Sequence, residues 1–285
     1  MTLQLRTGRV DDGKVCGRIC YEAFTAIAER HGFPPDWPSV EFAQAVLSSM
    51  LARDDVVSVV AELDGRVAGS NFLHLAGAVG GIGPITVAPA VQDGAVGRRL
   101  MERVLDLARE MQFPSVRLVQ AAYHCRSMSL YAKLGFEVRE PLACMQGPAL
   151  NLTVPGYPVR PATVADLEPC CALSLRVHGH ERRVELREAI RQGTATVVER
   201  GGEVTGYATA LAFFGHVVGA TTDDVQALIG AAPAFLGAGF LVPTRNGALF
   251  RWCLAHGLRV TQPLTLMSLG LYNEPRGAFL PSILY

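Results

Sequence analysis

Apolar residues recur along this chain with two periods, near two and near three to four, and the switches between them mark out its elements. LQLRTG (3–8) reads as a short strand, and Asp11 and Asp12 then stand where a helix N-cap belongs, ahead of a helix predicted through Ala28. GFPPDWPS (32–39) is Pro-rich and must be a loop, after which Ser39 opens a second helix to about Arg53. VVSVVAEL (56–63), the turn Asp64-Gly65 and RVAGSNFLHL (66–75) predict a hairpin. IGPITVA (82–88) is a further strand ending at Pro89. A helix from about Ala95 to Met111, strand VRLVQAA, a helix around Ser127–Leu134 and strand FEVRE follow. The predicted order is β-α-α-β-β-β-α-β-α-β.

The second half repeats that order. Arg6, Val10 and Asp12 match Arg160, Val164 and Asp166 at a constant offset of 154. VVAELDGRVAG (59–69) resembles VVERGGEVTG (197–206), two strands around a Gly-containing turn in each case. Lys133-Leu134-Gly135-Phe136 corresponds to Ala255-His256-Gly257-Leu258. Three matches in the same order predict a duplicated domain, with its boundary in GPALNLTVPGYP (147–158). The expected domains are residues 1–148 and 157–285, each an α/β (α+β) unit with a mixed central sheet flanked by helices.

Bulk composition narrows the class. A chain of 285 residues suits two domains, and 49% hydrophobic against 18% charged residues excludes global disorder. Lysine plus arginine equals aspartate plus glutamate at 26 each, so no general field draws in nucleic acid or an anionic membrane. The N-terminal MTLQLRTGRVDDGK lacks the apolar core of a secretory signal. Seven scattered cysteines without a CxxC pair suit reduced thiols in a cytoplasm, with neither a disulfide framework nor a metal site. Residues 204–222 and 225–244 are uncharged and long enough to span a membrane. The Gly, Thr and aromatic content of the first, and Pro233, Gly237 and Gly239 in the second, favour strands and breaks instead.

Chemistry concentrates where the strand holding Ile85, Thr86 and Val87 enters the turn Gln92-Asp93-Gly94-Ala95-Val96-Gly97 and then a helix beginning with Arg98 and Arg99. Unpaired N–H groups at a helix start bind phosphate, glycine lets the backbone approach it, and arginine adds charge. An ordinary strand–turn–helix would read the same way from this turn alone.

Here the chain resembles the GNAT superfamily of N-acetyltransferases. The family's cofactor motif is Arg or Gln, two residues, Gly, one residue, then Gly or Ala; Gln92–Gly97 fits except that Ala95 replaces the first glycine. Ser129-Leu130-Tyr131-Ala132-Lys133-Leu134-Gly135-Phe136 resembles the family's downstream Leu-Tyr-x-Lys-Leu-Gly-Phe signature. The resemblance covers about residues 3–145 well and 157–270 weakly. It implies two tandem GNAT-like domains and acetyl-CoA as acyl donor. Ile85, Thr86, Val87, Gln92, Asp93, Gly94, Ala95, Val96, Gly97, Arg98, Arg99 and His124 would bind that cofactor. A backbone N–H near Val87 would hold the thioester oxygen, and Tyr131 would serve as the acid. His124 stands where the family often has Asn, and Cys125 reads as a packing thiol.

The expected acceptor is a small-molecule or peptide amine, in the cytoplasm, with no nucleic acid or membrane partner and a homodimer left open. Glu22, His31 and His74 are candidates for the general base, each read equally as an ordinary surface or satisfied side chain. In the second half, Gly219-Ala220-Thr221-Thr222-Asp223-Asp224-Val225 replaces the cofactor turn, and its carboxylates would repel a pyrophosphate. Asn246 matches the family asparagine, but Cys253 replaces the tyrosine, so a structural role is expected there. A non-catalytic acyl-CoA-binding or sensing protein is the alternative. The apolar tail Phe279–Tyr285 is expected to dock across the chain in the groove between the domains, leaving the Tyr285 carboxylate near the site only by analogy with similar tandem proteins.

Overall fold

The computed structural model describes residues 2–92 and 94–284, so the expectations for Asp93 and for the Tyr285 carboxylate lie outside the described residues. In chain order the first elements are β1 (Leu3–Thr7), α1 (Gly13–Arg30), α2 (Val40–Leu51), β2 (Val56–Leu63), β3 (Arg66–His74), β4 (Gly80–Ile82) and β5 (Thr86–Val87). They are followed by α3 (Val96–Glu110), β6 (Ser115–Ala121), α4 (Cys125–Lys133) and β7 (Glu137–Gln146). The later ones are β8 (Val159–Pro161), α5 (Leu167–His178), α6 (Arg183–Gln192), β9 (Thr196–Arg200), β10 (Glu203–Ala208) and β11 (Val217–Gly219). Then come α7 (Thr222–Ala231), β12 (Phe240–Pro243), α8 (Gly247–Ala255), β13 (Arg259–Gly270) and β14 (Ala278–Leu280). The expected order recurs in a mixed α/β architecture with one strand more in each half: β4 and β5 stand where one strand was expected, and β14 follows β13.

Two compact units emerge. The first holds residues 1–75, 79–118 and 123–136; the second holds 76–78, 119–122 and 137–285. A cut at residue 148 does not follow these units, because β7 counts with the second.

In the first unit, β1, β2 and β3 form an antiparallel ribbon. The β2–β3 hairpin closes on Asp64-Gly65 with φ of 49° and 78°, the positive pair that a tight primed turn demands and that Asp-Gly accommodates. α3 buries Val96, Leu100, Met101, Val104, Leu105 and Ala108 as one stripe and packs that stripe on β2 and β3. α1 packs on α2, on β3 and on β5.

In the second unit, β14, β11, β10, β9 and β8 form one antiparallel sheet, and β12, β7 and β13 form an antiparallel three-strand group. Two apolar clusters here include Met145, Val225, Leu228, Phe240 and Leu249 in one, and Leu142, Cys144, Leu241, Leu264 and Leu266 in the other. The two uncharged runs resolve into β10, β11, α7 and β12, and no helix among the described residues is long and apolar enough to cross a membrane. The tail differs from expectation: Ala278–Leu280 is not laid over finished domains but pairs antiparallel with β11, and the Ile283 N–H donates to the Phe213 carbonyl at 2.8 Å.

The repeated Arg–Asp pattern has one geometry in both units. The Arg6 guanidinium donates to both Asp12 oxygens at 2.7 and 2.8 Å and to Glu62 at 2.8 Å, while Asp12 accepts the Arg9 N–H at 2.7 Å. Arg160 donates likewise to Asp166 at 2.8 and 2.7 Å and to Glu199 at 3.0 Å, while Asp166 accepts the Thr163 N–H at 2.7 Å. Paired hydrogen bonds from a guanidinium hold each aspartate below the usual carboxylate range, against the opposing effect of burial.

Candidate active site

The expected single strand 82–88 is two short strands. β4 runs parallel to β6 through Gly80↔Val116 and Gly81↔Arg117, whereas β5 pairs with β3 through Gly69↔Val87 and Ser70↔Thr86. Between them the chain turns at Gly83-Pro84, which cannot continue a ladder toward β6 because proline has no N–H to give. His74 binds here, its Nε2–H donating to the Gly83 carbonyl at 2.8 Å.

Hydrogen bonding in an antiparallel pair alternates residue by residue. The Ala88 N–H donates to the Ala68 carbonyl at 2.8 Å, so the Gly69/Val87 pair is of the wide, unbonded kind. The Val87 N–H and C=O therefore face away from β3, on the side where β4 and β6 were paired. The carbonyl accepts from Gln92 Nε2 at 3.2 Å, which ties the start of the turn to the strand. Thr86 is buried with its hydroxyl 3.4 Å from that of Ser70, and Ile85 is half-buried.

The turn ends at Ala95, which caps α3 in the left-handed region with φ 61° and ψ 2°. That conformation is natural for glycine and costs an alanine about 1–2 kcal/mol. It sets the first-turn amides of Val96, Gly97 and Arg98 at the end of the helix without intrahelical acceptors. A Cβ built on Gly97 stands 3.6 Å from Val87 Cγ2 and 3.9 Å from Leu130 Cδ2, so β5, the head of α3 and α4 meet at this point. Gly94 is exposed, as are Arg98 and Arg99; Arg98 faces Glu102 at 3.6 Å.

Tyr131 on α4 is buried, its ring centroid 6.1 Å from that of Phe136. Burial pushes the phenol up to about 12, partly offset by the Ser127 hydroxyl, so the group stays protonated at neutral pH. His124 caps the same helix, and its Nδ1 lies 2.7 Å from Ser127 Oγ. Burial, Arg126 and His31 all hold the His124 imidazole below its ordinary range.

The base candidates are scattered. Glu22 is exposed and 4.0 Å from Arg18. His31 ends α1 and tilts against the ring of Tyr123, which also stacks on Phe33 at 4.2 Å and 9°. Cys125 is exposed, not packed as expected, since it heads α4 and not its inner face. Missed in the sequence were Ser127, which spacing from His124 and Tyr131 on one helix face would have revealed, and the Phe33–Tyr123 stack, for which no local signal exists.

The corresponding turn of the second unit is closed. Thr221 caps α7, and fully buried Asp224 accepts from the Thr221 N–H at 2.9 Å, the Thr221 hydroxyl at 2.7 Å and the Thr205 hydroxyl at 2.6 Å. Asn246 spends its carbonyl oxygen on the Leu249 N–H and its amide on Thr222. Cys253 is buried in the apolar cluster.

Residues 20–136 match the model of the Acetyltransferase (GNAT) family. The "IAA acetyltransferase" of Azospirillum brasilense is 33% identical over 93 residues, 32% of this chain, and the match spans only 61% of that protein. Over the whole length, the fold is that of a Pyrococcus horikoshii protein at TM-score 0.73 and 16% identity, covering 97% of this chain and 94% of that one. A tandem GNAT protein from the clavulanic acid biosynthesis pathway aligns at TM-score 0.59 and 14% identity, covering 94% of this chain and 98% of that one.

Proposed function

We propose that the protein is an acetyl-CoA-dependent N-acetyltransferase that moves the acetyl group to an amine by direct attack, using a site in its first unit. One observation carries this reading: the pleat turns the Val87 N–H away from β3 at the point where β5, the head of α3 and α4 converge. An amide so directed is an oxyanion donor, the kind of group that stabilises charge developing on an acyl oxygen.

The residues fit the donor. Val96, Gly97 and Arg98 offer first-turn amides, Gly97 leaves room for close approach, and Arg98 and Arg99 add positive charge for phosphates. Gln92 fixes the turn through the Val87 carbonyl. Acetyl-CoA supplies the acyl group as a thioester substrate. Tyr131, held protonated by burial, is the acid for the departing sulfur, whose thiol has a pKa of about 8.5. His124 takes the place of the family asparagine beside the cofactor.

Only one donor site is proposed per chain. In the second unit Asp224 and the cap of α7 occupy the equivalent turn, and a buried carboxylate there opposes a pyrophosphate. That half has a supporting role. Seven cysteines without a disulfide suit a reducing cytoplasm.

Isothermal calorimetry with acetyl-CoA, followed by CoA release across polyamines, amino acids, aminoglycosides and peptides, tests the reading. One bound acetyl-CoA per chain and amine-dependent release are expected. Two equivalent sites, or binding without release for any amine, would overturn it.

A further inference from the structure

We propose that β14 is a built-in ligand of the second unit. It fills in cis a channel beside β11 made for an extended, amide-bearing chain. That channel is the counterpart of the one in which the first unit would take the pantetheine arm of acetyl-CoA. The acetyltransferase reading of the first unit supplies the identity of what β14 replaces; the geometry of β14 stands without it.

The repeat fixes the correspondence. VVAELDGRVAG and VVERGGEVTG, matched at their ends, set Gly69 on β3 against Gly206 on β10. Gly69 lies opposite Val87, and Gly206 lies opposite Gly219. The next hydrogen bond is the same in both units. The Ala88 N–H donates to the Ala68 carbonyl at 2.8 Å, and the Ala220 N–H donates to the Thr205 carbonyl at 2.8 Å. Gly219 therefore holds the place of Val87, and its N–H and C=O face away from β10.

What those groups meet differs. Among the described residues β5 pairs with β3 alone, whereas β14 lies along the outer edge of β11 through Val217↔Leu280, Val218↔Phe279 and Gly219↔Ala278. By the alternation of an antiparallel ladder, Gly219 and Ala278 exchange their N–H and C=O groups. The Ala278 carbonyl thus sits on the Gly219 N–H, where a thioester carbonyl would sit on the Val87 N–H.

The channel is shaped to this segment. A Cβ on Gly277 would stand 2.5 Å from the Gly219 carbonyl oxygen, so glycine lets β14 approach there. Ala278 and Leu280 are buried in the apolar cluster with Val217, Val225 and Leu228. The Arg276 N–H donates to the Val177 carbonyl at 2.8 Å, and the Ile283 N–H to that of Phe213, which holds the segment on both sides. The phosphate end is shut. Residues 88–95 join β5 to α3, but only residues 220–221 join β11 to α7. A Cβ on Gly219 would stand 2.9 Å from the Thr221 carbonyl oxygen, and Asp224 is buried at the head of α7. Such a site reads backbone amides and an apolar side chain, and it excludes a pyrophosphate.

Hydrogen exchange of the intact chain, read by NMR, is the first test. The Val217 and Gly219 amides should be protected, and Gly277→Ala should speed both about tenfold while leaving the Ala220 amide unchanged. An unprotected Gly219 amide in wild type overturns the proposal. A protease site inserted between exposed Leu271 and Tyr272 then frees the segment. After cleavage, a fluorescent peptide of residues 272–285 should exchange into the nicked protein at one per chain. Peptides with N-methylalanine at position 278, or with Gly277→Val, should not. Excess S-acetylpantetheine should displace the peptide, and acetyl-CoA, which carries the pyrophosphate, should do so about tenfold less effectively. Entry of the N-methyl peptide, or no displacement by S-acetylpantetheine, overturns the proposal. An intact chain that binds no acetyl-CoA refutes the acetyltransferase reading. An intact chain that binds one, with a nicked form that admits no peptide, refutes the built-in ligand alone.

Discussion

Replacing Gly97 by glutamate separates binding from folding at the donor site. Gly97 is the second residue of α3 after its cap, where a negative charge meets the positive end of the helix. Exchanging glycine for glutamate in a helix gains roughly 0.5–0.8 kcal/mol in propensity, and the helix dipole adds about 0.3–1 kcal/mol. The new Cβ meets only ordinary contacts, 3.6 Å from Val87 Cγ2 and 3.9 Å from Leu130 Cδ2, so no backbone shift is required. The variant should therefore melt at or slightly above the wild-type temperature. Its effect on phosphates is opposite. A like charge at about 4 Å costs roughly 1 kcal/mol in water and about 4 kcal/mol at an effective dielectric constant of 20. Two phosphate charges thus lose at least about 2 kcal/mol, a fall in affinity of roughly thirtyfold or more. Calorimetry with acetyl-CoA, beside a melting curve, measures both sides. Gly97→Gln controls for bulk, and the difference between the two variants should shrink in high salt. A folded Gly97→Glu protein that binds acetyl-CoA as wild type does would refute the placement of the phosphates at α3.

Ala95→Gly should raise the melting temperature by about 1–4 °C, since relief of about 1–2 kcal/mol of left-handed strain exceeds the roughly 0.5–1 kcal/mol entropy cost of glycine; a lower melting temperature contradicts this. Tyr131→Phe keeps the ring packing and should lower kcat about a hundredfold with little change in acetyl-CoA affinity, and unchanged turnover removes Tyr131 from the acid role. The second unit should lose stability on acidification through His216, which is fully buried beside Tyr207, with Arg182, His178 and His180 also opposing its charge and Glu185 3.9 Å away. Its folded pKa lies below the unfolded value, so stability is complete above about pH 6.5 and falls by up to about 1.4 kcal/mol per pH unit below it. His216→Gln should flatten urea-denaturation stability between pH 6.5 and 5, and an unaltered slope assigns the acid sensitivity elsewhere.

What the sequence made legible was local. The Arg6–Asp12 and Arg160–Asp166 pairs span six residues, so their spacing exposes a duplication that the hydrogen bonds reproduce. The α3 stripe and the Asp64-Gly65 hairpin follow from a single face and a single turn. The break at Gly83-Pro84 was hidden because IGPITVA is continuously apolar, and periodicity within such a run does not say which neighbour each residue pairs with. Ala95 departs from the glycine motif but stands in the left-handed region that favours glycine, which the residue type did not announce. FEVRE was read only to Glu140 and assigned to the first domain, whereas β7 runs to Gln146 because its partners β12 and β13 lie far along the chain. The same distance in sequence hid the tail strand β14 beside β11.

The membership of β7 has a consequence for synthesis. Its edges are covered by β12 on one side and β13 on the other, and both leave the ribosome well after it. With roughly a hundred residues intervening, translation at about 5–20 residues per second leaves the strand without either neighbour for about 5–20 s. An uncovered strand bearing Leu142, Ala143, Cys144 and Met145 is a template for pairing with other nascent chains on a polysome. We predict that chains stalled about midway between β7 and β12, with β7 clear of the ribosome and β12 not yet made, crosslink to one another or to a holdase through this segment, and that a monomeric, unprotected 1–148 fragment would contradict it. Pro141 and Glu140 lie within that strand: one lacks an N–H to donate, and burial raises the carboxyl pKa of the other.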